Sequence, residues 1–239
     1  MSSLASIRDV QKYFRKLPNQ LEEYFDDDYQ RAFNHLMTAL EQYFDVINTV
    51  DLQAKDNHII SHDEATDIGD HGFTLLLKLI DLMEKLDLPH KRKEIEQISL
   101  IFARWVIQYN GRLNHIDPIV NAFAHSANSM NEKGTLMSLV ELMNMVVDAS
   151  SDSIKHDLDN NNLYRPWRLL HINRGIVATR TNDTEIMRKV FDELILYLPQ
   201  EAASFFAEGM EEMDEQDYPP NVRRVIEEYY LHLPKIQLH

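Results

Sequence analysis

The segment HIISHDEATDIGDHG, residues 58–72, gathers three histidines and four acids, the side chains that bind divalent metals. Asp63, Asp67 and His71 recur every four residues, so a helix would carry all three on one side as two or three ligands. A complete centre needs further ligands from another element, for which His58, His62 and His35 are the candidates. The Glu-x-x-His pairs that helical di-metal bundles use are absent from the chain. The same residues also fit a purely structural pattern. Ser61 and Glu64 have the spacing of a capping box, and acids in a first turn complement the helix dipole. At about 100° per residue, Ala65, Ile68, Gly69, Gly72, Phe73 and Leu76 share an apolar face. Asp63, Asp67, His71 and Lys78 fall opposite, as an ordinary charged stripe. Each helical glycine costs about 1 kcal/mol, so another helix is expected to pack closely on Gly69 and Gly72.

A second candidate is YRPWRLLHINRGIVATRTNDTEIMRK, residues 164–189. Six basic residues here face only Asp183 and Glu185, in a chain of net charge −15. Arg165, Arg168, His171 and Arg174 step by three along one helix, and Trp167 lies among them. Guanidinium forks suit carboxylates and phosphates, and Trp167 offers a stacking face, so residues 165–189 could hold an anionic ligand. Residues 190–217 carry nine acids and no base. Pairing between these adjacent segments would consume the same charges.

The elements that position these residues read almost entirely at a helical period. Of 239 residues, 44% are apolar and 26% charged, with six glycines, eight prolines and no cysteine. The absence of cysteine excludes disulfides and thiolate chemistry. The negative balance argues against generic nucleic-acid binding. No apolar run approaches eighteen residues, so no membrane partner and a cytoplasmic location are expected. A long first helix is expected over 20–48, started at Pro18-Asn19, with DLQAKDN breaking the pattern after it. Further helices follow over 61–86 and 91–109 and from Asp117 onward, about ten in all. The most polar stretch, 151–163, separates an N-terminal helical region, 1–150, from residues 164–239. The whole is expected to form one continuous array.

A period of 34 links Gly175 to Gly209 and Phe191 to Val225, and Pro199 lies 35 residues before Pro234. In these residues, over 166–234, the chain resembles the tetratricopeptide-repeat class. There a small residue sits midway along the first helix of each pair, a bulky one along the second, and a proline closes the unit. The usual first-helix aromatics are replaced by His171 and Ala178, then by Phe205 and Glu212. The resemblance implies a groove at Phe206, Met210 and Met213 that would accept a peptide or amphipathic helix. The Lys and Asn of that class's carboxylate clamp are replaced by Ile172, Ile176, Phe206 and Met210.

Together these readings predict an all-α protein of stacked antiparallel helix pairs, a tetratricopeptide-like α-solenoid or α-α superhelix. The expected function is a non-enzymatic module or scaffold for a protein or peptide partner, with no cofactor. Two alternatives remain open. One is a metal-dependent enzyme using the Asp63/Asp67/His71 side. The other is a structural subunit of a homo-oligomer, its opposite charge blocks pairing between chains.

Overall fold

The computed structural model describes residues 6–56, 60–156 and 162–232. Among them the chain is all-α, with eleven α-helices and no strand. An isolated bridge joins Leu113 to Ser150. The chain forms two compact units, Met1–His125 with Met145–His156, and Ser126–Asn144 with Asp157–His239.

The first unit begins with α1, Ile7–Leu21, and a 3-10 turn over Glu22–Tyr24. Ile7, Val10, Phe14, Leu17 and Leu21 line its buried face at helical spacing, and Ser6 caps it by accepting from the Asp9 amide. Next come α2, Asp27–Lys55, α3, His62–Lys85, and α4, Pro89–Gln108. The expectation that Pro18-Asn19 starts the long helix is overturned. Pro18 lies inside the last turns of α1, and the next helix starts where the Asp26 carboxylate accepts from the amides of Asp28 and Tyr29. DLQAK does not break that helix either, because Asp51 turns its carboxylate to Trp105 Nε1 at 2.9 Å and Tyr109 Oη at 2.8 Å. Asp51 of α2 is satisfied by α4, so local polarity did not end the helix.

Ser61 caps α3 as expected, accepting from the Glu64 amide at 3.1 Å. The apolar face with the two glycines packs on α2 and α4. A methyl group at Gly69 would strike Val106 of α4, and one at Gly72 would strike the Tyr43 ring of α2 and Phe102 of α4. The glycines therefore let three helices meet around the rings of Tyr43, Phe44, Phe73 and Phe102. The chain leaves α4 through Asn110, which takes the left-handed conformation at φ 57°. It continues into α5, Asp117–Ser129, α6, Lys133–Ala149, and the short α7, Asp152–Lys155.

The second unit holds α8, Pro166–Arg180, α9, Thr184–Tyr197, α10, Ala202–Glu215, and α11, Pro220–His232. Each neighbouring pair packs together, α8 with α9 and α10 with α11, and α9 also meets α11. The turn after α8 needs only three residues. Asn182 takes φ 54°, and the Asp183 carboxylate caps α9 by accepting from the amides of Glu185 and Ile186. Phe191 is the hub of this core, its ring within 5.0–5.8 Å of those of Phe205, Phe206 and Tyr229. Gly175 admits Phe205, whose ring would lie 2.6 Å from an added Cβ. Among the described residues no helix is long and apolar enough to cross a membrane.

Candidate interaction surface

The arginines of residues 164–189 turn inward to their own chain. Arg174 is fully buried and meets Glu193 of α9 at 2.8 Å, and it also reaches Asn144 Oδ1 at 3.3 Å. Arg165, almost as buried, pairs with Glu201, and Arg168 Nε lies 3.8 Å from the same carboxylate. Arg188 pairs with Glu228 of α11. Arg180 donates to the carbonyls of Ala127 and Met130, taking up the C-terminal carbonyls of α5. The ridge read from the spacing is thus paired with its acidic neighbours. A guanidinium stripped of water is costly to bury without such a partner.

Trp167 is buried rather than displayed. Its indole packs edge-on against His171, with ring centroids 4.4 Å apart, and under Tyr197 at 5.5 Å. The groove residues fare alike. Phe206 stacks on Tyr229 in the α10–α11 core, Met213 is buried, and Met210 is half-buried. The structure therefore does not bring Phe206, Met210 and Met213 to one open groove.

Asp63, Asp67 and His71 lie exposed along the outer side of α3, with His62 at its start. His35 is also exposed, on α2, and His58 lies outside the described residues. Among the described residues no three His, Asp or Glu side chains come together in a way that would hold a metal ion.

What the sequence reading missed is the apolar surface around the arginine ridge. Leu163, Tyr164, Leu196 and Tyr197 sit at one end of the α8–α9 hairpin, where the start of one helix adjoins the end of the other. Tyr164 is 83% exposed, Leu196 70% and Leu163 61%. The patch is firmly mounted. Arg168 donates to the Leu163 carbonyl at 3.0 Å, Tyr164's amide donates to Asn162 Oδ1, and Tyr197 covers Trp167. The available signal was periodicity: Leu196 follows the buried Val190, Phe191 and Leu194 but falls off their face.

One buried polar cluster also escaped notice. Glu96 of α4 is 2% exposed and accepts from Arg92 Nε at 3.2 Å and Asn121 Nδ2 at 3.1 Å, with His125 Nε2 at 3.1 Å. Its oxygens are engaged by three side chains, which makes it a packing device joining α4 to α5 rather than an open acid.

No protein-family model, no curated protein and no solved structure matches the chain.

Proposed function

We propose that the chain is a non-enzymatic interaction module that works in the cytoplasm and binds a protein or peptide partner. In this reading α8–α11 stack as tetratricopeptide-like hairpins, and the partner docks at their α8–α9 end. The observation that carries the reading is the exposure of Leu163, Tyr164 and Leu196 together on a rigid hairpin. Exposed apolar side chains gathered at one end of a hairpin favour an interaction site. Glu201 largely neutralises Arg165 and Arg168 beneath them, so the partner that fits is an amphipathic helix rather than a free anion. The two arginines outnumber the one acid there, so an acidic residue at that helix's edge is favoured.

The test uses the immobilised full chain and a Tyr164→Glu/Leu196→Glu double variant of equal helical content. A partner captured by the parent chain is expected to be identified, prepared separately and titrated, with the double variant binding at least about tenfold more weakly. Equal binding to both chains refutes this placement. Self-association that the double variant abolishes, seen by light scattering, would assign the patch to a homo-oligomer instead.

A further inference from the structure

In the first unit, three helix faces enclose a cleft of about 950 Å³. Arg8, Lys12 and Arg15 come from α1, Lys55 from α2 and Arg104 from α4, and Asp51 is the one acid among the lining residues. The spacing explains the convergence. Arg8, Lys12 and Arg15 stand at i, i+4 and i+7, and Asp51 and Lys55 at i and i+4. Arg104 and Gln108 do the same on α4, so each helix turns one stripe toward the cleft.

Two of these cations are engaged and three are not. Arg15 is held by Glu41, and Lys12 lies 3.6 Å from Asp9. Arg8, Lys55 and Arg104 are exposed and have no hydrogen bond or ion pair among the described residues. Asp51 does not neutralise them by contact. Its Oδ1 accepts from Trp105 and Tyr109, which fixes the wall of the cleft. Burial and the Asp51 hydrogen bond push the Tyr109 hydroxyl up to about 12, so it stays a neutral donor. The floor adds the exposed Leu52 and the half-buried Ile101, apolar surface for an organic body. In a chain of 39 acids and 24 bases, gathering unpaired cations in one concavity costs mutual repulsion that an anion would relieve.

We propose that this cleft binds a small organic polyanion carrying two or more phosphate groups. Its volume falls within the range of small-ligand sites, about 300–1,000 Å³. Arg8 and Arg104 supply the planar forks that match phosphate oxygens, and Lys55 supplies a point charge from the third helix. Size selects against larger anions. A nucleic acid, an acidic protein or an anionic membrane would meet the rest of a surface carrying −15. An anion seated inside lies within a Debye length, about 8 Å at physiological salt, of the unpaired cations, and the outer acids are screened.

The test is isothermal titration of the full chain with sodium tripolyphosphate and with inositol hexakisphosphate, at low and at physiological salt. Saturable binding near one ligand per chain is expected. Arg104→Glu and Lys55→Glu should each weaken it by at least about tenfold. Lys93→Glu makes the same change of charge at an exposed position of α4 outside the cleft and should leave it unchanged. All three residues concerned are exposed, and circular dichroism checks that each variant is folded. The proposal is overturned if neither phosphate compound binds at millimolar concentration. Equal weakening by Lys93→Glu, or tighter binding of an oligoglutamate peptide than of either compound, overturns it too. The apolar patch of the second unit plays no part, so Tyr164→Glu/Leu196→Glu should bind both compounds as the parent does.

Discussion

Replacing His171 should flatten the acid limb of the stability curve. The imidazole is fully buried on α8, between the rings of Trp167 and Tyr197. Its Nδ1 lies 3.3 Å from Nη2 of Arg174, which is itself paired with Glu193, and Nε2 has no hydrogen-bond partner among the described residues. Protonation would place a charge out of water and beside a guanidinium. Burial first, and Arg174 second, hold this histidine well below the ordinary 6.5. In acid the unfolded chain therefore takes up a proton that the folded chain refuses. The stability is fully present above the unfolded pKa and falls as pH drops below it, towards the lowered folded value. With the folded site still neutral, the loss at about pH 5.5 is RT ln(1 + 10), about 1.4 kcal/mol, against less than about 0.1 kcal/mol at pH 7.5. Urea unfolding at both pH values, on the parent chain and on His171→Gln, isolates this contribution because the carboxylates are common to both. The parent is expected to lose about 1.4 kcal/mol more than the variant between the two conditions. Equal losses would show that the folded site protonates freely, and the account of the α8 core would be wrong.

Three further substitutions probe the packing. Gly72→Ala gains about 1 kcal/mol of helix propensity but drives a methyl into the buried Tyr43 ring, an overpacking cost of about 1–3 kcal/mol, so thermal unfolding should show a net loss. Asp26→Ala removes the cap of α2 and should cost about 1 kcal/mol in urea unfolding, with Asp26→Asn close to the parent. Glu96→Leu strands Asn121 and His125 and should cost about 1–3 kcal/mol, while Glu96→Gln, which can still accept, should cost less in the same melt.

Much of the architecture was legible because the chain relies on helical period. The cap at Ser61, the apolar face of α3 and the close approach at Gly69 and Gly72 all follow from local spacing. The first helix was not recognised, although Ile7, Val10, Phe14, Leu17 and Leu21 have that period, because Pro18 reads as a start rather than a residue near an end. The sites were less legible. Spacing placed Arg165, Arg168 and Arg174 on one helix but left open whether water or carboxylates faced them. That is settled by where α9 and Glu201 lie. The exposed Leu163, Tyr164 and Leu196 are individually unremarkable in sequence, since single apolar residues stand on every surface. They become a patch only when the hairpin closes.

The two sets of cations in this chain show why charge counted along a sequence misplaces an anion site. Six bases in residues 164–189 make a conspicuous block, and acids follow immediately in 190–217. Helices adjacent in sequence pack together, so a block beside its opposite is placed where it can be neutralised, as Glu193 and Glu201 do here. The cleft cations come instead from segments some forty to fifty residues apart: Arg8, Lys12 and Arg15 first, then Lys55 beside Asp56, then Arg104. The basic window 8–16 supplies only part of the set, which is complete only once α1, α2 and α4 are packed. The two sets should also differ in response to salt. Pairs as buried as Arg174 with Glu193 are shielded from the ionic atmosphere, whereas exposed like charges sharing a concavity are relieved by any counterion that enters. A multivalent phosphate should therefore raise the melting temperature at concentrations where sodium chloride of the same ionic strength does not. Arg104→Glu should remove that difference without touching the pairs of α8 and α9.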